Sequence, residues 1–121
     1  MPDRPARGKP RVLSGITATG TLTIGNYVGA LSVWAGEQDR YENFFFIADL
    51  HALTIPENIE ASSLRSRIRE IVALYLACGL DPDKSVLFLQ SRVPAHATLG
   101  WILECVTPVS WLERMTQYKS K

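Results

Sequence analysis

Residues 43–49 read Asn43-Phe44-Phe45-Phe46-Ile47-Ala48-Asp49, an aromatic and aliphatic run closed by a polar residue at each end. A strand with one wet face alternates apolar and polar residues, because successive side chains point to opposite faces. A run without alternation is a strand covered on both sides, the habit of parallel sheets. Two shorter segments have the same character: Arg11-Val12-Leu13-Ser14, followed at once by Gly15, and Val86-Leu87-Phe88-Leu89-Gln90. Between the first and second, Ile24, Tyr27, Val28, Leu31, Trp34 and Ala35 recur at the spacing of one helix face, ending near Gly36. Between the second and third, in the stretch from Ile59 to Cys78, Leu64, Ile68, Ile71, Val72, Tyr75 and Leu76 do the same, and Gly79 is placed to end that helix. Asp81-Pro82-Asp83 then reads as a turn.

The order is strand, helix, strand, helix, strand. Connections of about 30 residues suit parallel neighbours joined by right-handed crossovers. The fold class is therefore α/β, a Rossmann-like βαβαβ half of a doubly wound parallel sheet, and it looks truncated. Helical segments follow from Ala95 to Val106 and from Pro108 to Met115, the latter with proline in its first turn. Residues 1–10, with three prolines and a glycine, read as a flexible basic leader, and 11–121 as the folded unit.

At 121 residues the chain is one domain's length and should bury roughly two-thirds of its unfolded surface. With 46% hydrophobic and 21% charged residues it is neither disordered nor low-complexity. The longest apolar stretch, Ile71 to Leu80, falls short of the roughly 18 residues of a membrane span. No hydrophobic signal core follows the basic start, so a cytoplasmic protein without membrane partners is expected. Cys78 and Cys105 stand 27 apart with no zinc-ligand spacing, and both read as buried reduced thiols. The net charge of +1 divides unevenly: residues 1–11 carry +3, residues 114–121 carry +3, and the body between carries −5. Basic ends suit phosphate or nucleic acid, and equally a solvated tail.

In an open parallel sheet ligands bind beyond the carboxyl ends of the strands. Three segments reach that rim: Ser14 to Asn26, Asp49 to Thr54, and Gln90 to His96. No Gly-x-Gly-x-x-Gly or Walker pattern is present, which argues against a dinucleotide dehydrogenase or a kinase. Instead Gly15 and Gly20 allow close backbone approach, Thr17 and Thr19 bring hydroxyls, and Gly25 leaves room where the first-turn amides and helix dipole favour phosphate. The same letters also describe a glycine-rich turn with capping threonines. Asp49 and His51 fit a ligand pocket or a structural pair equally well. His96 reads as a cap or packing residue, and Trp34, Trp101 and Trp111 as core or interface rather than a stacking platform. No metal site is expected.

Ser14 to Leu31, SGITATGTLTIGNYVGAL, resembles the signature loop and first helix of the bacterial tryptophan–tRNA ligases, which are class I aminoacyl-tRNA synthetases. Thr23-Ile24-Gly25-Asn26 looks like that family's form of the His-Ile-Gly-His motif. The likeness continues through IADLHALT (47–54), ALYLACGLDPDKS (73–85), FLQSRVPAHA (88–97) and LERMTQYKSK (112–121). The resemblance implies activation of tryptophan by ATP to tryptophanyl-adenylate, then transfer to tRNA(Trp). ATP enters with Mg²⁺ as a substrate complex, with no tightly bound cofactor. It also implies a homodimer in the full-length enzyme, with tRNA held mostly by parts outside this chain. Residue by residue, Thr17, Ala18, Thr19, Gly25 and Asn26 fall on ATP-contacting positions, and Gly15, Ala48 and His51 fall beside the tryptophan pocket. Thr23, Asn26 and Lys121 fall on the catalytic ones, Lys121 reaching the triphosphate. Thr17-Ala18 stands where many relatives have Gln-Pro, and Leu50 replaces a common Gln. The chain is expected to be an N-terminal fragment, weak or inactive alone. Two alternatives stay open: a tyrosine–tRNA ligase of the same class, and a non-catalytic module that binds adenine nucleotide or dimerises.

Overall fold

Three parallel strands in the order β1-β2-β3 form the centre of the structure, a computed structural model that describes residues 8–55 and 60–119. The strands are β1 (Arg11–Thr17), β2 (Glu42–Ala48) and β3 (Ser85–Leu89). The helix α1 begins at Ile24–Asn26, passes through a π turn at Tyr27–Leu31 and continues as Ser32–Glu37. A four-residue α2 (Asp49–Ala52) follows β2, and α3 (Ala61–Ala77) leads to β3. After a 3₁₀ turn (Gln90–Arg92) come α4 (Pro94–Val106), α5 (Val109–Leu112) and α6 (Thr116–Lys119).

Register divides the side chains between two faces. On one lie the rows Val12–Asn43–Ser85, Ser14–Phe45–Leu87 and Ile16–Ile47–Leu89. Leu31 and Trp34 of α1 and Leu64, Ile68, Ile71 and Tyr75 of α3 pack against it, making the core. Both crossover helices cover one face because the strand order advances in one direction with one handedness. Trp34 stacks on Phe45 at 4.5 Å and meets Tyr75 edge-on, so the aromatic reading of a core Trp34 holds.

The other face carries Leu13–Phe44–Val86, Gly15–Phe46–Phe88 and Thr17–Ala48. The expectation of strands covered on both sides needs correction here: among the described residues this face is lightly covered, with Leu13 63% and Val86 51% exposed, because both crossover helices pack on the opposite one. The start of α4 reaches it through His96, whose ring lies against Phe46 and Phe88 and whose Nδ1 is 3.1 Å from the Gln90 carbonyl. The packing role expected of His96 is what the fold gives it.

Gly79 ends α3 as expected. Its φ of +96° lets the Leu80 amide donate to the Tyr75 carbonyl and its own amide to Leu76, satisfying two end-of-helix carbonyls. The turn that follows is tied by Gln38, only 7% exposed, whose side chain makes four hydrogen bonds. Its Nε2 donates to the Ala35 and Gly79 carbonyls, and its Oε1 accepts from the Asp81 amide and the Ser85 hydroxyl.

Several expectations need correction. β1 does not stop at Ser14; pairing with β2 continues to Thr17↔Ala48, so Gly15 lies within a strand. The segment from Pro108 to Met115 is not one helix: Pro108 precedes α5 with extended backbone, and the chain turns again before α6. Cys105 is exposed and Cys78 half-buried, both as free thiols, because among the described residues α4 is left exposed along most of its length. Trp101 and Trp111 are exposed rather than core. Most of the leader, residues 1–7, lies outside the described residues, although the Pro10 carbonyl accepts a hydrogen bond from the Glu42 amide.

Candidate active site

The carboxyl ends of β1 and β2 are adjacent, and the connection Ala18 to Thr23 carries the chain from β1 into α1. Ala18 is buried in the core cluster, which anchors the loop at its root. Gly20 takes φ +66°, where a side chain would be strained. Thr19 is half-buried beside it.

Thr23 and Asn26 lock the first turn. The Thr23 amide donates to Asn26 Oδ1 at 2.8 Å and the Thr23 hydroxyl approaches the same oxygen at 3.0 Å, while the Thr23 carbonyl accepts from the Asn26 amide. A backbone N–H can only donate, so the Asn26 atom it meets is the carbonyl oxygen. The Asn26 Nδ2 is thereby kept as a donor for something else. Gly25 is exposed, and among the described residues a Cβ built on it would meet only the Thr23 hydroxyl, at 3.5 Å. The amide end of α1 is open to a ligand rather than sealed by side chains. Beside it, Leu22, Thr23, Ile24, Tyr27, Leu74 and Cys78 line a cavity of about 290 Å³.

The residues expected beside an amino-acid pocket are placed less uniformly. Ala48 is buried at the end of β2 opposite Thr17, and His51 is exposed on α2. Gly15 is explained by packing: a Cβ there would stand 2.6 Å from the Phe46 carbonyl oxygen and 2.9 Å from two of its ring carbons. Its φ is not positive, so the glycine is needed for space and not for backbone conformation. Thr17 belongs to β1 and not to a loop. Lys121 lies outside the described residues. Among the described residues no group of three or more His, Cys, Asp or Glu is arranged to hold a metal ion, and no helix is long and apolar enough to cross a membrane.

Sequence reasoning missed α2 and the partner of Asp49. The Asp49 carboxylate, 8% exposed, accepts from the Leu50 amide at 3.1 Å, the Ser91 amide at 2.9 Å and the Ser91 hydroxyl at 2.5 Å. Gln90 Oε1 accepts from the His51 amide at 3.2 Å. The signal available was Gln90-Ser91, two polar residues directly after an apolar strand.

The pattern of the family described as tRNA synthetases class I (W and Y) matches residues 5–121. The chain belongs to this family. The tryptophan–tRNA ligase of Gloeobacter violaceus is 51% identical over 121 residues, covering all of this chain and 35% of the relative. The tryptophanyl-tRNA synthetase structure from Campylobacter jejuni superposes with a TM-score of 0.82 at 39% identity, over 94% of this chain and 35% of that one. A second Campylobacter jejuni structure, complexed with ADP and tryptophan, gives 0.79 at 40% identity, over 91% and 34% of the two chains. The chain thus spans about a third of the length of these relatives. These matches agree with the doubly wound α/β fold expected from the strand order.

Proposed function

We propose that this chain is the nucleotide-activating part of a tryptophan–tRNA ligase, acting on tryptophan, ATP with Mg²⁺ and tRNA(Trp). The observation that carries the reading is the first turn of α1: open at Gly25, with Asn26 Oδ1 committed to the Thr23 amide and its Nδ2 left to donate. Adenylate formation needs little covalent help from protein. The tryptophan carboxylate must be held in line with the α-phosphate, and the charge developing on pyrophosphate must be met by donors. The amides of Ile24 and Gly25, the helix dipole and Asn26 Nδ2 supply such donors, and Thr17, Ala18 and Thr19 bring the loop against the nucleotide. Lys121 joins them at the triphosphate. Gly15, Ala48 and His51 border the amino acid. A neutral asparagine stabilises a growing negative charge by hydrogen bonding without having to change protonation state. The complete enzyme is read as a cytoplasmic homodimer, with tRNA held mainly by parts outside this chain.

The test is tryptophan-dependent exchange of pyrophosphate into ATP, by the chain alone and by the chain supplied with the remaining two-thirds of the Gloeobacter violaceus relative. Exchange with tryptophan and not tyrosine is expected, weak or absent in the chain alone. Exchange with tyrosine would move the assignment to the tyrosine ligase. ATP binding without exchange in either arrangement would leave a nucleotide-binding module.

A further inference from the structure

His51 sits on a helix of four residues, too short to hold its own shape by intrahelical bonds. Three hydrogen bonds tie that helix to the 3₁₀ turn after β3, some 40 residues away in sequence. Two run from the Ser91 amide and hydroxyl to the two carboxylate oxygens of Asp49, and one from the His51 amide to Gln90 Oε1. The turn is braced in its turn by His96 at the Gln90 carbonyl. Asp49 is a buried carboxylate at the site's rim with both oxygens engaged inside the protein, so it is not disposed to take a substrate or a metal. We propose that Asp49 and Ser91 are positioning residues: a clamp between the ends of β2 and β3 that fixes α2, and with it His51, against the amino-acid side of the site.

This inference rests on the functional reading above for what His51 faces, and it predicts selectivity. Loosening the clamp should weaken tryptophan and spare ATP, whose contacts lie on α1 and its loop. The experiment uses the full chain. Tryptophan and ATP binding are titrated by NMR for the wild type, Asp49→Ala, Asp49→Asn and Leu80→Ala, and amide exchange is followed at His51 and Ser91. Asp49→Ala should weaken tryptophan about tenfold or more, leave ATP within about twofold, and speed exchange at both amides. Asp49→Asn keeps Oδ1 for the Ser91 amide and can donate to the Ser91 hydroxyl, so it should restore most of both. Leu80, buried in the core, is the control for general destabilisation. Its truncation should lower stability without changing the ratio of the two affinities. Unchanged tryptophan affinity or unchanged exchange in Asp49→Ala, or an equal loss of ATP, overturns the clamp. A wild-type chain that binds neither ligand, alone or supplied with the remaining two-thirds of the Gloeobacter violaceus relative, overturns the functional reading and the positioning role with it, while amide exchange still shows whether the clamp exists.

Discussion

Replacing Gly15 with alanine separates packing from ligand approach as the reason for a glycine in β1. The added Cβ would stand 2.6 Å from the Phe46 carbonyl oxygen, about 0.8 Å inside the 3.4 Å at which ordinary contact begins. That oxygen belongs to the backbone of the neighbouring strand, so it can retreat only by opening a ladder that is paired from Arg11↔Glu42 to Thr17↔Ala48. Overpacking of this kind costs about 1–3 kcal/mol, and a backbone obstacle puts it near the top of that range. Against this, Gly→Ala restricts the unfolded chain and returns about 0.4–1 kcal/mol, since Gly15 has no positive φ to be strained. The net expectation is a loss of about 2 kcal/mol, which lowers the urea midpoint by roughly 1 M at an ordinary denaturant slope. Adding Phe46→Leu removes the ring contacts and leaves the carbonyl one, so the second substitution should recover less than about half of the loss. A midpoint that stays put or rises in Gly15→Ala would refute this reasoning and return Gly15 to a ligand-approach role.

Three further outcomes follow from the same structure. Asn26→Asp keeps an acceptor for the Thr23 amide and adds a charge suited to a helix start, so stability should hold, while pyrophosphate exchange in the complemented enzyme falls at least about tenfold from lost donation and phosphate repulsion; full exchange would remove Asn26 from the mechanism. Gln38→Met strands the Gly79 carbonyl, the Asp81 amide and the Ser85 hydroxyl, and should cost about 2–4 kcal/mol in urea unfolding. Tyr75 donates to the Phe46 carbonyl, and burial pushes its hydroxyl up to about 12. Between pH 10 and 12 the unfolded chain therefore releases a proton that the folded one keeps, and stability falls by up to about 1.4 kcal/mol per pH unit; alkaline absorbance titration of the wild type and Tyr75→Phe should show one late-titrating tyrosine that the variant lacks.

The sheet was legible because residues 43–49 are a short aromatic and β-branched run, too short for a helix, set between two helix-length apolar stripes that both crossover helices bury. Strand and helix ends were less legible where a tertiary constraint overrode a local cue. Gly15 looks like a strand terminator, yet it continues β1 because Phe46 needs the space. Cys105 carries a residue type usually found inside, but helix α4 is exposed along most of its length in this chain. The π turn left no sequence mark: an apolar stripe from Ile24 to Ala35 is equally compatible with an unbroken α-helix. In the site, the Thr23–Asn26 lock was readable as a helix start. The Asp49–Ser91 pair was not, since nothing local connects residues 42 apart.

The rim's geometry is set by the ladder more than by its loops. Thr17 and Ala48 are paired residues at the ends of adjacent strands, so the loop that leaves one toward α1 and the His51-bearing turn that leaves the other start from a fixed separation. A slip of one residue between β1 and β2 would send every side chain of one strand to the opposite face, exchanging Ile16 for Thr17 in the core. The same register that buries Ile16 and Ile47 therefore aligns the two loops at the rim of the candidate site. Sequence changes within those loops can tune contacts without disturbing the alignment, which is how the chain superposes on the Campylobacter jejuni structure at a TM-score of 0.82 with only 39% identity.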